Sequence, residues 1–275
     1  MKERWGIIGL GFIAQRHMDA IEDIGDELIM ACDNDLRKFS KISGNIFCTN
    51  NWITMINVPE FKLVDNVAIC TPNHLHPPMI AECEKRGKRV LCEKPLAIDS
   101  KHLGIMNGTR TVLQLRYNPE MIELKKKVTA GHKVKLQLLI NRGDFYWKCW
   151  KGDKKKSGGL LFNIGIHYFD LLQWLFGDVS CPHHIYADSD THSIGNVGLQ
   201  KAFVTWEIFL KQPMDTQIRT LVVDGKVYNL AKRFENLHLK VYEDFKDGKG
   251  ITKHEAAKSI KLVERLTGGV GSTTP

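Results

Sequence analysis

Lys94 stands in the triplet Glu93-Lys94-Pro95, directly after the apolar stretch Val90-Leu91-Cys92. A second polar group, Asn163, His167 and Asp170, interrupts a run otherwise filled by Leu160, Phe162, Ile164, Ile166, Leu171, Leu172 and Trp174. An amine and an imidazole can both move protons near neutral pH once their surroundings adjust their pKa values. If the run is helical, residues 163 and 167, four apart, share a face. A polar stripe on so apolar a segment is costly to bury without partners, so it reads as a candidate site wall. Asp170 then orients the imidazole or stays a local cap. Each feature has a blander reading: a surface lysine in a turn, and a satisfied core histidine.

What these groups would act beside is indicated near the start of the chain by Gly9-Leu10-Gly11-Phe12-Ile13-Ala14. Gly9 suits a tight strand-to-helix turn, Gly11 lets the backbone approach a pyrophosphate, and Ala14 keeps the helix close to its sheet. The helix start after the turn offers unpaired N–H groups and a partial positive charge. Gly9, Gly11, Phe12 and Ile13 are therefore cofactor-binding candidates. Asp33 lies 22 residues past Gly11, close to the ~20 expected of the acid that binds a ribose diol. A carboxylate there repels a 2′-phosphate, which favours NAD over NADP; a turn-forming Asp in Asp33-Asn34-Asp35 is the alternative. Ligands of open α/β sheets bind beyond the carboxyl ends of the strands. Glu93 and Lys94 occupy such an end, so Lys94 serves as a proton-moving group beside a nicotinamide.

The elements that must position these residues follow from periodicity. Short apolar strands (Trp5–Ile8, Glu27–Cys32, Asp65–Ile69, Arg89–Cys92) alternate with helical patterns at Ala14–Ile24 and Pro78–Arg86, which predicts βαβ units and a parallel sheet. A further strand is expected at Val112–Leu115, before the break at Asn118-Pro119. Beyond a helix around Glu120–Lys127 the pattern becomes β-rich: Lys133–Asn141, Ala202–Leu210, Gln217–Asp224 and Lys226–Leu230, with Asp224-Gly225 as a hairpin signal and a closing helix at Lys253–Leu266. The expected fold is α/β: a Rossmann dinucleotide-binding domain over 1–118 and an α+β domain with a large, mostly antiparallel open sheet over 119–275. The connection Ser100–Thr111 is short for a parallel crossover, which normally needs a dozen or more residues. One expectation is that residues are missing there.

With 43% hydrophobic and 25% charged residues, the chain has the composition of an ordinary globular protein. It carries no apolar run near the ~20 residues of a membrane span and no signal-peptide core, so a cytoplasmic protein is expected. The net charge of +8 is spread over scattered basic residues without aromatic interleaving, which argues against nucleic acid and fits an anionic small substrate. Seven cysteines without a C-x-x-C pair read as reduced thiols. His74-x-His76 and His183-His184 lack companion ligands at metal spacing, so no metal is expected.

Taken together, the glycine turn, Thr71-Pro72-Asn73-His74-Leu75-His76, Glu93-Lys94-Pro95 and the Gly158-Gly159…His167 segment resemble the glucose-fructose oxidoreductase / inositol dehydrogenase / rhizopine catabolism (Gfo/Idh/MocA) family. The resemblance covers most of the chain. It implies a threonine-proline turn near the cofactor, here Thr71, Pro72 and His76, and a Lys-Pro bond that is often cis. It also implies that Lys94 and His167 flank the sugar hydroxyl that loses hydride. Many members carry Asp where this chain has Asn163, so proton transfer falls to His167 or Lys94, with Asn163 positioning the hydroxyl. Gln114–Pro119, Trp150-Lys151-Gly152 and Ser157–His167 look closest to bacterial dehydrogenases that oxidise the 3-hydroxyl of UDP-N-acetylglucosaminuronate on the way to surface polysaccharide, such as lipopolysaccharide, sugars. Arg116, Tyr146, Lys151 and Lys156 are the candidates for the anionic parts of such a substrate. A homodimer or homotetramer is implied. The rivals are another sugar or inositol dehydrogenase of the family, and a non-catalytic NAD(H)-binding regulator.

Overall fold

The structure is a computed structural model, and it describes residues 2–211, 217–232 and 236–268. The first elements in chain order are β1 (Arg4–Ile8), α1 (Ala14–Asp23), β2 (Glu27–Cys32), β3 (Phe47–Thr49), α2 (Trp52–Asn57), β4 (Asn66–Ile69), α3 (His76–Lys85), β5 (Arg89–Glu93) and β6 (Arg110–Val112). Then come α4 (Pro119–Lys127), β7 (His132–Asn141), α5 (Asp144–Lys148), α6 (Lys154–Ser157), α7 (Ile166–Phe176), β8 (Val179–Asp188), β9 (His192–Leu199), β10 (Ala202–Lys211), β11 (Ile218–Val223) and β12 (Lys226–Asn229). The chain ends in α8 (Leu237–Lys246), β13 (Ile251–Thr252) and α9 (Lys253–Leu266).

Two compact units result: residues 1–97, 101–112 and 236–254 form the first, and 98–100, 113–235 and 255–275 the second. A single cut after residue 118 does not describe them, because α8 and β13 belong to the first unit. The side chains of α8 explain why. Tyr242 and Phe245 lie 4.9 and 5.2 Å from the ring of the fully buried Trp5, pairs worth about 0.5–1.5 kcal/mol each beyond their area. Lys246 bonds Asp26 at 2.6 Å and the carbonyl of Ile24 at 2.8 Å.

In the first unit the sheet runs β13-β6-β5-β4-β1-β2-β3, and every pairing is parallel except that of β13. Its central strands are buried on both faces, as helix-covered parallel strands must be. The connection from β5 to β6 holds a short 3₁₀ segment, Ser100–Ile105. The strand expected at Val112–Leu115 instead ends at Val112 and passes into a 3₁₀ turn, Gln114–Tyr117.

The second unit carries the sheet β12-β11-β7-β10-β9-β8, antiparallel except where β10 pairs with β7. Along β7, Val134, Leu136, Leu138 and Ile140 are buried and their neighbours are not, the alternation of a sheet covered on one face. Asp224 (φ 47°) and Gly225 (φ 85°) form the β11–β12 turn with both central residues left-handed, as the Asp-Gly pair predicts.

Candidate functional site

In the first unit the glycine turn has the geometry a dinucleotide phosphate needs. Gly9 adopts φ +97°, and a Cβ there would sit 2.7 Å from the carbonyl oxygen of Cys70, so only glycine fits. A Cβ on Gly11 would meet nothing within 4 Å, so the turn's outer side is open. The ten-residue α1 that follows has no side-chain cap and no acid in its first turn; Ala14 and Arg16 bond the carbonyls of Gly11 and Ile13, and the positive end of the helix dipole is left without a carboxylate of its own. Phe12 is 87% exposed on this turn, and Ile13 is half-buried. Asp33 is buried at the end of β2, where its carboxylate accepts the N–H of Leu10 (2.7 Å) and of Asp35 (2.9 Å) and both oxygens lie 3.0 Å from Lys38 Nζ. It therefore ties the glycine turn to the β2 loop. Its bond to the Asp35 N–H is that of a turn former. These residues fit NAD.

Around β5 the half-buried Lys94 follows the buried Glu93, and the Lys94–Pro95 bond is cis. His76 is fully buried, with Nδ1 2.7 Å from the Pro95 carbonyl and Nε2 2.9 Å from that of Thr71. The residue thus braces the threonine-proline turn against the triplet. Burial lowers its pKa, against the pull of the two carbonyls. Thr71 bonds Met79 Sδ at 3.4 Å, while Thr71 and Pro72 keep partial exposure.

Glu93 turns its carboxylate into the unit. Oε1 lies 3.1 Å from His17 Nε2 on α1 and 3.5 Å from His238 Nε2 on α8, and Oε2 accepts the Lys94 N–H at 3.3 Å. Tyr242 bonds His17 Nδ1 at 2.8 Å. His17, Glu93 and His238, with ligand atoms within 4.8 Å of one another, are the one described group with the atom types and spacing of a metal site. None of these partners was foreseen. The signal was present in α8, where Leu237, Val241, Tyr242 and Phe245 recur at helical spacing.

In the second unit the segment before α7 is not simply α-helical. Gly158 takes φ +80°, and a Cβ there would press to 2.6 Å from Phe162 Cβ. The backbone then runs through a π-helical turn, Leu161–Gly165, before α7 begins. Such turns, which interrupt α-helices, are frequent at functional sites. Asn163 sits in the π-turn and His167 in α7, so their expected α-helical i,i+4 relation is altered. His167 is half-buried among buried neighbours. Asn163 Nδ2 donates to Tyr146 Oη at 2.6 Å, bringing two expected substrate residues together. Burial raises the Tyr146 pKa against the effect of Asn163 and Arg142.

The other expected residues are placed differently. Asp170 does not cap the helix, because its two oxygens accept from Arg116 at 2.8 and 2.7 Å. Arg116 Nη1 also donates to Glu255 at 2.9 Å, so the guanidinium is satisfied within the unit. Burial works against the Arg116 charge, but Asp170 and then Glu255 hold its pKa above the usual value. Lys151 lies 5.8 Å over the Trp150 ring and Lys156 pairs with Asp153 at 3.4 Å, both on short helical turns. All seven cysteines are thiols outside any disulfide; burial raises Cys83 to about 12 and Cys70 and Cys92 well above the usual value. Among the described residues no helix is long and apolar enough to cross a membrane.

Comparison with known proteins agrees with this architecture. Residues 3–107 match an oxidoreductase family model described as an NAD-binding Rossmann fold, and residues 125–207 match the same family's C-terminal alpha/beta domain. The WlbA (WbpB) dehydrogenase from Thermus thermophilus, solved with NAD and alpha-ketoglutarate, superposes with a TM-score of 0.89 at 31% identity, over 99% of this chain and 97% of that one. The same enzyme with NAD and UDP-GlcNAcA gives 0.88 at 31% identity and the same coverage. Inositol 2-dehydrogenase of Rhizobium meliloti is 26% identical over 65% of this chain and 56% of its own length. The chain thus spans about half the length of the curated relatives it matches.

Proposed function

Since this chain belongs to the Gfo/Idh/MocA oxidoreductase family, with its NAD-binding Rossmann unit, we propose that it is an NAD-dependent dehydrogenase of a nucleotide sugar. The substrate we assign is UDP-N-acetylglucosaminuronate, oxidised at its 3-hydroxyl in surface polysaccharide sugar synthesis. The observation that carries this reading is the likeness at 31% identity, over nearly both full lengths, to a WlbA dehydrogenase that holds NAD and UDP-GlcNAcA. Lys94 and His167 add to it, since each is the half-buried polar group in an otherwise buried stretch.

The glycine turn and the N-terminus of α1 would hold the pyrophosphate of NAD, and Asp33 its adenosine ribose; the dinucleotide would supply the hydride acceptor for the carbinol carbon. Lys94 or His167 takes the hydroxyl proton as the carbonyl forms, and the other donates a hydrogen bond to the developing alkoxide. Asn163, a neutral amide held by Tyr146, positions the hydroxyl and cannot act as the base. Tyr146, Lys151 and Lys156 serve the uronate and diphosphate charges. Arg116 serves the fold, through Asp170 and Glu255.

The half-exposed face of the second unit's sheet, with Phe203 52% and Val227 62% exposed, supports a homo-oligomer, dimer or tetramer. The experiment is a panel of sugars and nucleotide sugars with NAD, read by NADH absorbance and thermal shift. The expected result is NADH formation and stabilisation with UDP-N-acetylglucosaminuronate and neither with free sugars or inositol. Turnover of inositol alone would move the assignment to that branch, and binding of NAD without turnover of any sugar would favour a regulator.

A further inference from the structure

Glu93 Oε1 has two imidazole nitrogens beside it, Nε2 of His17 from α1 at 3.1 Å and Nε2 of His238 from α8 at 3.5 Å. The first distance is that of a hydrogen bond, and the second is longer than one. His238 is 5% exposed, and its Nε2 is buried without a hydrogen-bond partner among the described residues. A polar nitrogen kept dry beside a carboxylate oxygen that it does not bond is costly unless a further group joins them.

A divalent cation satisfies all three atoms. Around zinc, with bonds of about 2.0–2.1 Å at tetrahedral angles, neighbouring ligand atoms lie about 3.3 Å apart. The separations here, 3.1 and 3.5 Å, fall on either side of that value. All three ligand atoms lie within 4.8 Å of one another, and His17, Glu93 and His238 are 0%, 8% and 5% exposed. The other ring nitrogen of a metal-bound histidine almost always meets a polar partner that fixes its tautomer. Tyr242 Oη supplies one, 2.8 Å from His17 Nδ1. Two imidazoles and a carboxylate suit zinc, whereas calcium and magnesium take oxygen ligands.

We propose that His17, Glu93 and His238 form a zinc site, with Tyr242 orienting His17. The three ligands come from α1, the end of β5 and α8, all within the first unit. An ion there cross-links the C-terminal return of the chain to the strand that carries the triplet. With ligands this deeply buried, its work is to hold the unit together. The histidines lie 76 and 145 residues from Glu93, so no ligand spacing marks the site in the sequence.

The test uses the full chain without a polyhistidine tag, produced in zinc-supplied and in metal-depleted medium. Metal content is read by elemental analysis and stability by thermal melting. The expected result is about one zinc per chain in the first preparation, with a thermal midpoint about 5 °C or more above that of the second. Tyr242→Phe, which keeps a ring against Trp5, should weaken zinc binding about 10–100-fold. His238→Gln should lose stoichiometric zinc, with NAD binding as the check that it is folded. Cobalt in place of zinc should give visible d–d bands without the sulfur-to-metal charge-transfer bands of a thiolate site. A zinc-supplied protein that holds no zinc and melts with the metal-depleted one overturns the proposal. So does a His238→Gln protein that keeps its full zinc content, or a thiolate cobalt spectrum, since either puts the metal elsewhere. No readout needs a sugar, so failure of the substrate assignment leaves the test intact.

Discussion

Each unit buries a charged cluster, and the two clusters are built from different chemistry. In the first, an anion is held by groups that can themselves change protonation: Glu93 by His17 and His238, with Tyr242 behind. In the second, Asp170 and Glu255 hold Arg116, whose charge is permanent over any accessible pH. Both draw a partner from the C-terminal part of the chain. The difference separates an anion held by imidazoles from one held by a permanent cation.

The largest effect should come from breaking the permanent pair. Arg116→Met leaves Asp170 buried without its cation, a loss typically worth about 3–5 kcal/mol, measured as a fall in the urea midpoint. If stability holds and only the KM for the nucleotide sugar rises, Arg116 belongs to the substrate instead. Next comes chemistry: Lys94→Met and His167→Ala should each lower kcat by ~10² or more while leaving the thermal midpoint nearly unchanged. Full kcat in both variants would remove the proposed proton-transfer groups. Asp33→Ala is expected to weaken NAD binding about 10-fold, as loss of charge-assisted bonds does, and to narrow the preference over NADP; calorimetry with both dinucleotides checks it.

The smallest effect is on pH and belongs to the first unit. His17 and His76 have pKa values lowered by burial from the usual 6.5. Between the folded and unfolded pKa values the unfolded chain binds more protons, so stability is complete above about pH 6.5 and declines as pH falls below it. Glu93, whose folded pKa is depressed, adds a further loss at lower pH, below the usual 4.5. The slope of unfolding free energy between pH 6.5 and 5 should flatten in His17→Gln, and an unaltered slope would place the acid sensitivity elsewhere.

The first unit was readable because backbone requirements leave marks on residue type. A strained turn demands Gly9, an open helix start leaves its first turn without acids, and buried parallel strands read as unbroken apolar runs such as Val67-Ala68-Ile69. Strand β3 and helix α2, only three and six residues long, are too short to leave a periodic signal. Partnership was not readable. His17 looked like one more residue of an amphipathic helix, and nothing local joins it to His238. In the second unit the polar residues 163, 167 and 170 stood out, but apolar periodicity cannot distinguish a π-turn from an α-turn over five residues. Their actual neighbours, Tyr146 and Arg116, come from segments far apart in sequence.

The most direct measurement is the fate of the carbinol hydrogen. UDP-N-acetylglucosaminuronate carrying deuterium at C3 is incubated with the protein and NAD, and the cofactor is analysed by mass spectrometry. The account predicts deuterated NADH in amounts equal to a 3-keto sugar, from the unaltered chain and scarcely at all from Lys94→Met. Unlabelled NADH, or none from a protein shown to bind both ligands, would contradict it.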